Sequence, residues 1–362
     1  MDRIPSKQNA IVADSNGQLM LVNDLPLPEM EPDMVVVKNH VVGLNPADYK
    51  MTGRKAHAGA VAGHDFAGTV VAIGPNVRTI APLTNGDRVL GAVPGVHSLT
   101  PRAGAFAQYT CAPDYVLLKI PSFISFEEAV TFGASIGTVG MALFRSLQVP
   151  GYPMEPASRP GQTVLVYGGS TATGTLALQI LKLSGLKPIA TASPKNFDLV
   201  KSYGAEAVFD YHAQDFVAQI KTYTKSSLKY IIDCVSTAET MELCYSLLGR
   251  TGGKLTTLEA PPSYIHTRPG NRVSLDWVVG PSIHGRALGW PPPMAREPDM
   301  ELEEFSIKWF TTAQRLLDDG KLRAHPVKSI EGLEGVLKGL DSLRKGEISG
   351  HKLVCRIQKE DL

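Results

Sequence analysis

TVLVYGGSTATGTLALQILKLSG, residues 163–185, decides the fold. Five residues rich in branched apolar side chains read as a buried strand. Gly168 and Gly169 then turn the chain, and the apolar spacing from Ala172 onward becomes helical until Gly185 closes the run. A strand that meets a helix through glycines presents the helix N-terminus, with its unpaired N–H groups and positive dipole end, as a phosphate site. The motif is not a clean GxGxxG, because Ser170, Thr171 and Ala172 occupy places where further glycine is expected. The hydroxyls of Ser170, Thr171 and Thr173 offer donors in place of open backbone. A plain strand-to-helix turn is the alternative.

Downstream, the rhythm repeats. Strands are expected at 187–193, 205–211, 228–235 and 252–260, with helices at 194–204, 213–224 and 238–250. Alternating units of this kind imply an α/β, doubly wound parallel sheet of the Rossmann type. An NAD-specific sheet carries an acid about 20 residues past the glycines. Here the second strand runs into Ser193-Pro194-Lys195-Asn196, with no acid before Asp198. Ser193 and Lys195 suit a 2′-phosphate, so NADPH is preferred over NADH. A solvated lysine in a first helical turn is the alternative for Lys195, although a cation is disfavoured at that end of the dipole. Tyr211, after the third strand, is placed near the adenosine.

Upstream, residues 1 to about 125 read as a β-rich domain of short strands at 8–15, 18–24, 33–44, 66–74, 86–93, 105–112 and 115–120. The stretch 125–147 reads as a helix, with Ser125 as cap and Glu128 three residues on. A proline-rich linker follows at 151–161. The segment 260–300 is irregular, a helix is expected near 301–319, and the tail 328–357 ends in a strand.

The chain's 362 residues suggest two domains. Lys+Arg 36 against Asp+Glu 35 leaves +1, no global field for a polyanion, so nucleic acid is not the expected partner. The 43% hydrophobic and 20% charged composition is that of a globular protein and excludes disorder, collagen and coiled coil. Cys111, Cys234, Cys244 and Cys355 form no CxxC pair and no disulfide scaffold. No secretory signal or membrane-spanning run is evident, and KEDL at 359–362 has an ER-retention tetrapeptide's letters in the wrong order. A cytoplasmic protein is expected.

GHDFAG at 63–68, GDRV at 86–89, GAFAQY at 104–109 and the Rossmann half together resemble the medium-chain dehydrogenase/reductase superfamily. NPADYK at 45–50, YGGSTAT at 167–173, ASPKNFDL at 192–199 and LRKGEISGHKLV at 343–354 narrow the resemblance to the trans-acting enoyl reductases of fungal polyketide (PKS and PKS-NRPS) pathways. The resemblance implies a GroES-like catalytic domain over 1–155 and 298–362, and a Rossmann NADPH-binding domain over 156–297. It also implies a monomer that reduces α,β-unsaturated thioesters on the acyl carrier domain of a partner synthase.

Zinc is not expected. His64 stands where the zinc alcohol dehydrogenases have a ligand, but the first cysteine is missing from 43–46 and no cysteine lies between 112 and 233. His64 then reads as a structural or pocket residue. Conjugate reduction of an enoyl thioester needs donors at the thioester oxygen and a proton for the α-carbon, not a metal.

Lys50, read as lying just after a strand, is assigned to nicotinamide-ribose contact or proton supply, with an exposed strand-end lysine as the alternative. Thr138 is its catalytic companion, or packs a small side chain against the nicotinamide. Ala47, Asp48 and Tyr49 share the cofactor assignment with Lys50, as do Leu258 and Glu259 after the fifth strand and Ile348 and Ser349 in the tail. By resemblance Ser135 lies at a substrate position. Val278, Val279, Gly280, Pro281, Ser282, Ile283, His284 and Gly285 form a substrate wall, and Trp277 and Trp290 flank it. Two other functions stay open: a zinc-independent quinone or enone oxidoreductase acting on free substrates, and a non-catalytic binding member of the superfamily.

Overall fold

The computed structural model describes residues 4–78, 82–158, 161–266 and 273–357. The tetrapeptide 359–362 and parts of the 151–161 and 260–300 segments lie outside them. Fifteen strands occur among the described residues. They are β1 Lys7–Ala13, β2 Leu19–Pro26, β3 Met34–Gly43, β4 Asp65–Ile73, β5 Arg88–Ala92, β6 Tyr109–Pro113, β7 Leu118–Lys119 and β8 Thr163–Tyr167. β9 Lys187–Ala192, β10 Ala207–Asp210, β11 Tyr230–Asp233, β12 Gly253–Thr257, β13 Val273–Trp277, β14 Val327–Glu331 and β15 Lys352–Arg356 follow.

Two compact units divide the chain: 1–137 with 281–362, and 138–280. The sequence limits for the inner unit, 156–297, are later at both ends.

In the inner unit the sheet order is β10-β9-β8-β11-β12-β13, every pairing parallel. Numbered from β8 this is 3-2-1-4-5-6, the Rossmann order, whose direction of winding reverses between β8 and β11. Leu165, Ile189, Ile231 and Leu255, all fully buried, stack along the sheet's middle, Phe209 extends the cluster on β10, and Ile220 and Met241 join it from helices. Five of the six strands were expected. β13 was not: its burial alternates between half-buried and exposed along an edge, so no continuous apolar run marks it inside the segment read as irregular.

In the outer unit a seven-stranded sheet has the order β14-β15-β3-β4-β5-β7, with β6 also paired to β3. β15 closes on β3 antiparallel, Val354 opposite Gly43, so the tail completes a sheet begun by the N-terminal residues. Val35, Val37, Phe66, Val70 and Val89 form its core.

The expected helix at 125–147 is broken. Ser125 and Glu128 make the anticipated capping box for Phe126–Ala129, and a second helix, Gly133–Gly140, runs into a π-helical turn over Met141–Ser146. The helix expected near 301–319 spans Met300–Asp318. No helix among the described residues is long and apolar enough to cross a membrane.

Candidate active site

At the end of β8, Gly168 adopts φ +80°, a conformation glycine reaches without strain. Its N–H donates to Thr191 Oγ1 at 3.0 Å, and Gly169 N–H donates to Thr191 O at 2.9 Å, tying the turn to β9. Thr171 is the N-cap of the helix Ala172–Leu183, and its hydroxyl accepts from Gly174 N–H at 2.9 Å. The same hydroxyl donates its one proton to Gly168 O at 2.9 Å. Within the turn the Thr171 hydroxyl is thus engaged on both sides, as donor and as acceptor. The first helical turn carries no acidic residue, so its positive end is not neutralised from within. Thr171→Val is expected to destabilise the cofactor unit by about 1 kcal/mol, the usual worth of such a cap, as read by urea unfolding without cofactor. An unchanged midpoint would refute the capping role.

Ser193 precedes a turn over Pro194–Asn196 that holds no acid, Lys195 is exposed, and buried Asn196 donates to Ser193 Oγ at 3.3 Å. Tyr211 leans on Tyr167 with ring centroids 6.4 Å apart.

Where winding reverses, the partner of Tyr167 across the ladder is Asp233, which is fully buried. Its Oδ1 accepts from the N–H groups of Val235 and Ser236, each at 2.9 Å, and its Oδ2 from Thr240 Oγ1 at 2.6 Å. Ser236 Oγ donates to Asp233 O and accepts from Leu258 N–H at 2.8 Å. After the fifth strand, then, Leu258 N–H is bonded within the protein, and Glu259 O accepts from Thr257 Oγ1 at 2.8 Å. Sequence reasoning missed this brace; an aspartate ending an otherwise apolar strand was its one signal. Val278 and Val279 are buried, with Val278 N–H bonded to Thr257 O at 3.0 Å. A Cβ on Gly280 would stand 2.7 Å from Thr138 Oγ1, so this glycine lets the chain pass close to Thr138.

In the outer unit, Lys50 does not end a strand. It is the half-buried last residue of a helical turn, Pro46–Lys50, capped by Asn45. Proline at the first helical position and Asp48 three residues after the cap explain the turn. Asp48, assigned to the cofactor, has both oxygens engaged by protein: Oδ2 accepts from Asn45 N–H at 2.6 Å, and Oδ1 meets His64 Nδ1 at 2.5 Å. Burial works against a charged His64, but Asp48, by charge and hydrogen bond, raises its pKa above the ordinary value. Ala47 is exposed, and half-buried Tyr49 lies under the Arg344 guanidinium at 5.7 Å.

Asp65, beside His64, accepts from Ala134 N–H at 2.7 Å, which places buried Ser135 next to the same cluster. A Cβ on Gly137 would stand 2.9 Å from Ile283, so the proposed substrate wall packs on this helix. Ser282, Ile283, His284 and Gly285 are buried, Pro281 half-buried, and Tyr115 hydroxyl donates to His284 O at 2.6 Å. Burial, then Arg286 and His97, pushes the His284 pKa down to about 3. Ile348 and Ser349 are half-buried ahead of β15. Trp290 is a core residue, its indole N–H bonded to Gly95 O at 3.1 Å.

The donors around His64 do not fit zinc. Asn45 and Asp65 are spent on one another and on the Lys352 ammonium, which lies 2.7 Å from Asp65 Oδ2. A metal ligand set needs acceptors converging on an open position, and here a buried ammonium already answers them. No three His, Cys, Asp or Glu side chains converge in a metal-binding arrangement among the described residues.

Two family models match the chain. Residues 31–122 match the family model described as alcohol dehydrogenase GroES-like domain, and residues 172–269 that described as zinc-binding dehydrogenase. The trans-enoyl reductase FSL5 of Gibberella zeae is 56% identical over 358 residues, covering 99% of both chains. The trans-enoyl reductase caaB of Aspergillus niger is 46% identical over 361 residues, covering 98% of each. Among solved structures, CurK enoyl reductase superposes with a TM-score of 0.74 at 17% identity, over 97% of this chain and 100% of that one. The quinone oxidoreductase of Coxiella burnetii gives 0.73 at 23%, with the same coverage. At such identities these last two speak for the fold alone.

Proposed function

The chain belongs to the trans-enoyl reductases of the medium-chain dehydrogenase/reductase superfamily, and from that premise we propose that it uses NADPH to reduce enoyl thioesters held on the acyl carrier domain of a partner polyketide synthase. Its relatives' 42–56% identity across nearly the whole chain makes it an enoyl reductase with a nicotinamide cofactor. The observation that carries the choice of NADPH is the end of β9, where Ser193 and exposed Lys195 stand in a turn without an acid. An NAD-binding sheet needs a carboxylate there to hold the ribose hydroxyls, and a 2′-phosphate would be repelled by it.

When bound, the cofactor supplies a hydride to the substrate's β-carbon. The chain's own residues do the rest. Ser170, Thr173 and the N-terminus of the helix Ala172–Leu183 hold the pyrophosphate, and Lys195 with Ser193 holds the 2′-phosphate. Lys50, on its capped turn, orders the nicotinamide ribose or moves a proton toward the α-carbon, and Thr138 shapes the reacting end. Val278 to Gly285 set acyl selectivity through apolar contact, worth about 1–3 kcal/mol per methylene.

Lys195→Ala should weaken NADPH binding by about 1–2 kcal/mol, roughly ten-fold, the lower part of the charge-assisted range because the ammonium is solvated. NADH binding should hardly change. Fluorescence titration of both cofactors decides, and equal losses would remove the 2′-phosphate assignment. Supplying one enoyl thioester free and then loaded on the carrier domain tests the partner, and a wild type that gains nothing from the carrier would refute it.

A further inference from the structure

Lys352 opens β15 with a side chain only 3% exposed. Its Nζ lies 2.7 Å from Asp65 Oδ2 and 2.6 Å from Asn45 Oδ1. Asp65, fully buried, accepts in addition from Asn45 Nδ2 at 2.9 Å and, through Oδ1, from Ala134 N–H at 2.7 Å. The lysine stem crosses Gly43, where a Cβ would stand 2.7 Å from Lys352 Cε, so the sheet leaves room for this cation. Ion pairs sealed from water are weak devices for stability, since an apolar pair of the same volume serves as well. What this one does is geometric. Three elements far apart in sequence meet at Asn45, the cap of a helical turn five residues long. Such a turn has no stability of its own. It is held at Asn45 by Lys352 and Asp65, and at Asp48 by His64.

We propose that Lys352 is a positioning residue for the reduction: through Asp65 and Asn45 it fixes the turn that presents Lys50. This rests on the reading of Lys50 as a catalytic group. Lys352 itself is sealed among protein partners and transfers nothing.

The test compares wild type, Lys352→Met, Lys50→Ala and the double variant. It measures turnover of a carrier-loaded enoyl thioester, NADPH affinity and amide hydrogen exchange. Lys352→Met should lower kcat about ten-fold, the scale of misplacing a reacting group, and leave KM and the NADPH Kd within about two-fold. Exchange should quicken over 44–51 and stay unchanged elsewhere. In the Lys50→Ala background the same substitution should cost less than about two-fold, because it acts through Lys50. An equal loss in both backgrounds overturns the proposal, as does unchanged exchange over 44–51. If Lys50→Ala keeps full turnover, the catalytic reading of Lys50 fails by itself, and the exchange of 44–51 alone decides the positioning role. Should Lys352→Met not fold, Lys352→Met with Asp65→Asn removes both charges together and carries the same measurements.

Discussion

Lys50→Ala is expected to lower turnover by about 100-fold, the lower end of what a positioned proton-transfer group contributes, while NADPH affinity stays within about three-fold of wild type. The split follows from where the residue acts. A group that only held the ground-state complex would cost binding and leave kcat alone, whereas one that matters as charge develops costs kcat. Lys50 closes a turn whose N-cap is Asn45 and which has proline at its first helical position. Neighbouring Asp48 cannot substitute, because both its oxygens are already engaged. Steady-state rates on a carrier-loaded enoyl thioester, beside a fluorescence titration of NADPH, separate the two contributions. Full turnover in Lys50→Ala, or a loss matched by the loss of binding, would dismiss the assignment.

How much of this was legible in the sequence depends on the range of the interactions. The stretch 163–185 carried the Rossmann half because a strand, its glycines and its helix are contiguous, and local periodicity records local structure. The turn at 45–50 was equally local: Asn45, Pro46 and Asp48 spell a helix start, although the apolar run before them drew Lys50 onto a strand end. The break in the 125–147 helix was not local. A Cβ on Gly133 would stand 2.5 Å from the Asp65 carboxyl carbon, and that carboxylate bonds the next N–H along, 69 residues away in sequence.

The site divides in the same way. The β9 edge is a local feature, since Ser193, Pro194 and Lys195 are adjacent. The braces are not. Asp233 is satisfied by residues up to seven positions on, but Ser236 ties it to Leu258, and Lys352 reaches Asn45 across 307 positions. A sequence shows that such a lysine exists. Only the pairing of β15 with β3 shows that it is buried against a carboxylate.

Gly174→Ala should damage both the fold of the cofactor unit and its binding of cofactor. Gly174 is the third residue of the helix Ala172–Leu183, a place where alanine is normally the better helix former. Here its Cβ would stand 2.4 Å from Gly168 O and 2.9 Å from Gly169 Cα. Both are main chain, so no side chain can rotate away. The glycine turn or the helix must move. Gly168 O is also the acceptor for Thr171 N–H at 3.1 Å and Thr171 Oγ1 at 2.9 Å, so a shift loosens the cap as well. Overpacking of this kind costs about 2–3 kcal/mol of stability. The displaced N–H groups should weaken NADPH binding by at least about 100-fold, equivalent to two or more charge-assisted contacts. Titration well below the variant's melting temperature, followed by circular dichroism, separates lost binding from lost fold. Thr173→Ala removes one hydroxyl without touching the main chain and should cost about ten-fold at most. A folded Gly174→Ala that binds NADPH within about three-fold of wild type would show that this turn is not the phosphate cradle.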